Sequence, residues 1–399
     1  MKIGKNPPLH LTYCLNVHPG ETWDENFEAI RTVTLEIRKR VAPNGPFGLG
    51  LRLGHTAANQ LANPETLHRF KDFLETHDLY VFTINGFPYG EFHKAPVKSR
   101  VYSPDWRSLK RLNYTILLAE ILSKLLPEGV SGSISTVPGS YKGWIRGLMD
   151  RTEMIQNLMR CVAHLAHIHK ETGKEIHLGL EPEPDCFLET TDGTIDFFTR
   201  ELRGEGKQYL ARLIGTSERE ADDMIMRHLG VCFDACHMSL QFEDLGESVS
   251  RLAANSIRLS KIQISAALKT PSLEKILKRV ADFADPVYLH QVKARTAGGE
   301  IRSYEDLPIA MSHGDVRNRS IDQWRIHFHV PLYFSGDHEL GSTGNDLSEG
   351  FFRSAAGSGC PHFEIETYTF NVLPEQFKQK TLVESIALEY AWVLSRLSP

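Results

Sequence analysis

IHLGLEPEP, residues 176–184, decides how the rest of the chain is read. It is a short apolar run in which alternate side chains share a face, followed at once by two glutamates spaced by prolines. That is the pattern of a buried strand ending in polar groups. A helical pattern precedes it at 147–172, and another, 192–203 with 217–228, comes after it. Strand, helix and strand in succession imply parallel strands joined by right-handed crossovers.

The same alternation extends both ways. Strand-like runs occur at 9–17, 47–53, 80–85, 132–137, 230–234, 259–265, 324–330 and 362–368. Helical patterns fall at 22–42, 63–77, 105–126, 243–255, 272–283 and 379–397. Thr22 before Trp23-Asp24-Glu25, and Asn63 before Pro64-Glu65, read as helix starts. Eight strand–helix units close a (β/α)8 TIM barrel. With the opening run there are nine strand candidates. We therefore expect 324–330 to be an extra element beside a long insertion after the seventh strand, roughly 266–323, with little regular pattern. A doubly wound open sheet is weakened by the lack of GxGxxG after the first strand. No linker or internal repeat divides the chain, so one domain over 1–399 is expected.

Composition narrows the class. Hydrophobic residues at 41% and charged residues at 24% exclude a disordered chain. The formal charge of −5 disfavours phosphate-driven nucleic-acid binding. No run of ~18 apolar residues predicts a membrane span. The N-terminus lacks the apolar core of a secretory signal, which leads us to expect a cytoplasmic protein. The six cysteines are dispersed, with no CxxC pair, and read as buried reduced thiols.

Polar residues late in the strands then gain meaning, because that end of a barrel carries its site. Glu181 and Glu183 end the fifth strand, and Asp234 the sixth, with His237 three residues on. Lys261 and Gln263 share a face in the seventh. His327 and His329 share one in the extra segment, and Glu364 and Glu366 in the last. Arg52 and Asn85 end the second and third. Each alone reads as an ion-pair partner or a solvated end. Gathered at one rim they would repel or be badly desolvated without a counter-ion. A divalent cation supplies that charge, and this donor set suits Mn, Mg, Co or Zn.

LGLEPEP (178–184), VCFDACH (231–237) and FEIET (363–367) resemble the xylose-isomerase-like TIM barrels, which include sugar isomerases, epimerases and endonuclease IV. The resemblance implies metal ligation by Glu181, Asp234 and Glu366, with His237 touching metal or substrate. The seventh-strand ligand is usually His. Here Gln263 stands in its place, and either Gln263 or the His327/His329 pair would complete the site. Longer blocks, HLTYCLNVHPGETW (10–23), INGFPYGEFH (84–93), VYSPDW (101–106), YLHQV (288–292), FHVPLY (328–333) and IETYTFNVLP (365–374), resemble the metabolite traffic protein EboE family. That resemblance implies a barrel protein encoded with the ebo cluster, serving production or transport of a small metabolite alongside other ebo-cluster proteins.

In the sugar isomerase relatives a cation holds two adjacent oxygens of the substrate while carboxylates move a proton. Here Glu181 and Glu366 are candidates for ligand and base at once, with Glu183, Glu364 and His237 as further candidates. Lys261 reads either as a proton donor with a pKa lowered by a neighbouring metal, or as the partner of Glu364 or Glu366. The loop NGFPYGEFHKAPVK (85–98) reads as a lid or substrate wall carrying His93. Arg52, Asn85, His93 and His237 are candidate substrate contacts. Arg52, Lys94 and Lys98 could meet a phosphate or carboxylate. Three functions fit this pattern: a metal-dependent isomerase or epimerase of a polyhydroxylated small molecule, a non-catalytic metabolite carrier, and a metal phosphodiesterase like endonuclease IV.

Overall fold

The computed structural model describes residues 1–4, 8–92, 97–284, 286–374 and 380–397. Among them eight parallel strands form the core: β1 (Leu9–Tyr13), β2 (Phe47–Arg52), β3 (Leu79–Asn85), β4 (Gly132–Thr136), β5 (Ile176–Leu180), β6 (Leu229–Asp234), β7 (Arg258–Ile264) and β8 (His362–Ile365). They neighbour one another in the order β2 to β8 and then β1. A parallel bridge between Cys14 and Gly50 brings β1 back to β2 and closes the ring. This is a (β/α)8 barrel. Lys2–Ile3 adds a short antiparallel pairing to β1.

The strands are fully buried at nearly every position because helices cover them outside and side chains fill them inside. The crossover helices begin where short polar residues can satisfy their free N–H groups. Thr22 and Glu25 form a reciprocal capping box at Trp23–Ala29, and Asn63 accepts from Glu65 and Thr66 ahead of Pro64–Thr76. Among the described residues five short helices escape the periodic pattern: His55–Leu61, Lys207–Ile214, Ala235–Leu240, Leu307–Ser312 and Glu349–Gly357. Ala235–Leu240 is buried on every side, so it has no polar face to betray it.

The insertion departs from expectation. It is an antiparallel five-stranded sheet in the order 301–304, 292–296, 321–326, 268–270, 341–342, carrying the helices Leu273–Ala281 and Leu307–Ser312. The extra segment foreseen at 324–330 belongs here, with Ile321–Ile326 in the middle of this sheet. Strands such as Ile301–Tyr304 are short and half exposed, so their polar sequence resembles a loop. The sheet also aims the segment that leaves it. Leu268–Ile326 pairing and the bond from Val330 N–H to the Ala266 carbonyl (2.9 Å) lay residues 327–330 beside the chain leaving β7. His327 and His329 thereby reach the C-terminal rim of the barrel.

The C-terminal helix, Leu382–Leu397, pins the same region from outside. Glu389 Oε1 accepts from Thr367 Oγ1 (2.6 Å) and Leu332 N–H (3.1 Å), tying the exit of β8 to the segment after His329. Burial pushes this carboxyl up to about 7. Between the ordinary glutamate value of ~4.3 and that point, the native state keeps a proton that the unfolded chain has lost, so stability falls as pH rises through the window. Glu389→Gln keeps the accepting oxygen and removes the titration. Denaturant melts from acid to neutral pH are expected to show the parent losing about 3 kcal/mol relative to this variant, mostly between pH ~4.5 and ~7. Parallel pH curves for the two would contradict it.

Candidate metal centre

Three strand ends converge. Glu181 lies just past β5, with its N–H on the Thr136 carbonyl (3.1 Å), and Glu366 just past β8, with its N–H on the Ile264 carbonyl (3.2 Å). Asp234 ends β6 and caps the next helix, its Oδ1 accepting from the His237 N–H at 3.0 Å. One oxygen from each of Glu181, Asp234 and Glu366 lies within 4.8 Å of the others. A second group at the same spacing is Asp234, His237 and His329, and a third is Glu183, His237 and His327. Cys236 joins His327 and His329 in a fourth, its thiol pushed well up by burial and the nearby carboxylates. All of these residues are between 0 and 5% exposed.

The carboxylates are only half satisfied. Glu366 Oε1 accepts from Asn16 Nδ2 (2.6 Å), and Asp234 Oδ1 accepts from Ser265 Oγ (2.8 Å). Glu181 Oε2, Asp234 Oδ2 and Glu366 Oε2 are buried with no hydrogen-bond partner. A buried acceptor left so costs free energy unless something else is there to meet it. Burial first, and the neighbouring carboxylates second, push Glu181 and Glu366 well above the ordinary range. Burial works against the charge on Asp234 too, but facing His237 and His329 holds it below the usual value. A cation reverses this balance and lets all three ionise.

The histidines are set to the same end. His237 Nδ1 bonds the Pro182 carbonyl (3.0 Å) and His329 Nδ1 the Glu366 carbonyl (2.9 Å). A carbonyl can only accept, so each Nδ1 carries the hydrogen and each Nε2 presents a lone pair. His327 is set by one more step. Gln291 Nε2 donates to the Pro184 carbonyl (3.1 Å), which turns its Oε1 toward His327 Nδ1 (2.7 Å). The two Nε2 atoms of His327 and His329 then face each other at 3.3 Å with no hydrogen between them. Second-sphere acceptors that orient an imidazole in this way are typical of metal-binding histidines. The donors therefore fit a divalent cation on their own chemistry. Carboxylate and imidazole together favour Mn, Co or Zn over Mg.

Glu181, Glu183, His237, His327, His329 and Glu366 floor a cavity of about 540 Å3, counting its mouth. Asn85 lines it, with its side chain engaged by the Phe87 N–H (3.1 Å) and the Cys14 thiol (3.5 Å). Phe87, Pro88 and Phe92 of the expected wall loop line it too. His93 and Lys94 lie outside the described residues.

Three expected roles are corrected. Gln263 does not join the converging donors: its Oε1 accepts from Cys232 Sγ (3.1 Å) and its amide faces Glu364 (3.4 Å). His327 and His329 do lie among the converging donors, each within 4.8 Å of other donor atoms. Lys261 is paired with Glu364 at 2.6 Å; although burial opposes its charge, Glu364 holds the ammonium above its ordinary pKa, the reverse of a proton donor. Arg52 lies outside the cavity and braces backbone, donating to the carbonyls of Gly20 (2.6 Å) and Gly90 (2.9 Å) and meeting Glu21 at 3.2 Å. Lys98 reaches the cavity, but its ammonium is held by Asp306 (2.8 Å) and the Tyr288 carbonyl (2.6 Å).

Sequence reading passed over Asn16, Tyr102 and Gln291. Tyr102 OH donates to Glu183 Oε1 (3.1 Å) and accepts from Gln291 Nε2 (2.9 Å), so it links the carboxyl to the histidine brace. All three sit in the long unusual blocks at 10–23, 101–106 and 288–292, which was their only signal.

No family model matches the chain, and no curated protein matches it. Among solved structures it is similar to the IOLI protein with a bound zinc atom, at 13% identity over 98% of each chain and a TM-score of 0.49. It is similar to the probable 3-DHS dehydratase AsbF from Bacillus anthracis, at 12% identity over 96% of this chain and 98% of that one, with a TM-score of 0.47. It is also similar to the 3-keto-D-glucoside 4-epimerase YcjR from E. coli, at 12% identity over 97% of this chain and 99% of that one, with a TM-score of 0.45.

Proposed function

We propose that this protein is a divalent-metal-dependent isomerase or epimerase of a sugar, cyclitol or related polyhydroxylated small molecule, acting as an EboE-like member of a metabolite pathway together with other ebo-cluster proteins. The observation that carries the reading is the set of three partnerless carboxylate oxygens, backed by imidazole lone pairs, of which Glu181 and Glu366 line the floor of an open-mouthed cavity at the barrel rim. Glu181, Asp234 and Glu366 would hold the ion, with His329 and His237 beside them. A bound divalent cation supplies a Lewis acid that polarises a substrate oxygen.

The residues left over suit proton transfer. With the three ligands committed, Glu183 is the carboxyl free to move a proton at the cavity wall. Tyr102 OH at 3.1 Å fixes its Oε1, and His237 Nδ1 lies 3.2 Å from its Oε2. Burial first, then the charge of Asp234, raises its pKa well above the ordinary carboxylate range. His327 and His237 stay neutral because burial dominates, with His237 pushed down to about 4. Both rings pack beside the carboxyl, His237 Nδ1 at 3.2 Å and His327 Nδ1 at 3.5 Å. Asn16 Oδ1, buried and without a partner, is an acceptor left for a substrate hydroxyl.

The test is exchange of carbon-bound hydrogen with solvent deuterium across a panel of ketoses, aldoses and cyclitols. We expect exchange that requires added Mn2+ or Co2+ and drops at least about 100-fold in Glu183→Gln. Absence of exchange throughout the panel in metal-loaded protein would count against an isomerase and favour a carrier.

A further inference from the structure

The cavity is two-sided. Its floor is carboxylate and imidazole, whereas its walls carry Phe87, Pro88, Phe92, Val97, Val101 and Leu289. Phe92, Tyr288 and Tyr368 come from three separate loops and meet as a collar, with ring centroids 5.1 to 5.4 Å apart. Tyr368 packs on His329 at 4.7 Å, so the collar begins directly above the floor.

The polar groups of the walls are already engaged. Asn85 is bonded to the Phe87 N–H, Tyr102 OH to Glu183 and Gln291, and Lys98 to Asp306. Hydroxyls of a free polyol could find partners at the floor, at Asn16 Oδ1 and at the rims of two tyrosines. Beyond that they would face carbon and lose the hydrogen bonds they make in water. Among the described residues the lining contributes no ammonium or guanidinium other than the paired Lys98, so a phosphate would face the same carbon there.

Resting on the functional reading above, we infer that the substrate is an uncharged amphiphile. One end carries adjacent oxygens for the floor, and the other is an alkyl, prenyl or aryl arm lying against the collar and the wall. Burying such an arm releases water from apolar surface on both partners, and each methylene placed there tightens binding roughly threefold to fourfold. A polyol carrying such an arm then binds more tightly than the same polyol without it, and Arg52 and Lys98 are both already engaged and not free to meet a phosphate.

The experiment uses the Mn2+-loaded protein, with metal uptake measured first by the Mn2+ EPR signal. Glycerol, its 1-O-methyl, 1-O-butyl and 1-O-hexyl ethers, and glycerol 3-phosphate are then titrated by calorimetry. Affinity is expected to climb from methyl to hexyl by at least tenfold, with glycerol 3-phosphate no tighter than glycerol. Leu289→Asn should flatten the climb without changing Mn2+ uptake. A series flat in chain length, tighter binding of the phosphate, or no binding of the hexyl ether at millimolar concentration would each overturn the inference. Failure to take up Mn2+ would overturn the metal reading itself and is read separately. Should Leu289→Asn fail to fold, the ligand series on the parent protein decides alone.

Discussion

Glu181→Gln is expected to melt higher than the parent in EDTA and lower than it in saturating Mn2+. In the ion-free protein Glu181, Asp234 and Glu366 crowd buried oxygens within 4.8 Å, and Glu181 is held far above its normal pKa. Keeping that carboxyl at neutral pH costs free energy whether it takes up a proton or bears an unpaired charge. Glutamine has the neutral form's shape without that cost, so apo stability should rise by about 1–2 kcal/mol. The same change removes an anionic donor, and metal affinity should fall at least about 100-fold, cancelling the metal-induced gain in stability. Crossing melting curves are the signature. A residue present only for packing would shift both curves the same way.

Lys261→Met should be the most destabilising single change in the barrel interior, at about 3–5 kcal/mol. Lys261 and Glu364 are buried and 2.6 Å apart. Glu364 Oε1 has no hydrogen-bond partner, so loss of the ammonium leaves the carboxylate only the long contact from Gln263 Nε2 (3.4 Å). Gly50 shows how tightly the group is enclosed: a Cβ there would meet Glu364 Oε1 at 2.3 Å. Lys261→Met combined with Glu364→Gln removes both charges and should recover most of the loss, with strong non-additivity in urea melts. Equal costs for the single and double variants would show that the pair contributes through packing alone. Because the pair lies below the metal floor, Mn2+ affinity of the folded double variant should stay within a few-fold of the parent.

The barrel was readable because β5, β6 and β8 each end an apolar run in an acidic group, and strand periodicity turns those groups inward. What periodicity cannot supply is depth. Side chains at i and i+2 share a face but lie about 6.6 Å apart along the strand. Lys261, Gln263 and Ser265 are on one face of the chain through β7, yet Lys261 meets Glu364, Gln263 meets Cys232, and only Ser265 reaches Asp234. The resemblance, together with the shared face, suggested Gln263 as a ligand; depth makes it an interior residue. Arg52 misleads for a related reason. It ends β2, but its long side chain turns toward the carbonyls of Gly20 and Gly90 instead of the cavity. The His327–His329 pair was visible as a repeat of two, while its route to the rim was not. That route depends on long-range pairing of 268–270 with 321–326, which no local pattern encodes.

The most direct test is diffraction from crystals grown with Mn2+, using its anomalous signal. We predict one strong peak at the C-terminal rim of the barrel, about 2.0–2.6 Å from carboxylate oxygens of Glu181, Asp234 and Glu366 and within reach of a histidine Nε2. A map without a peak there, showing those carboxylates bonded to one another as protonated acids, would contradict the metal centre and with it the proposed chemistry.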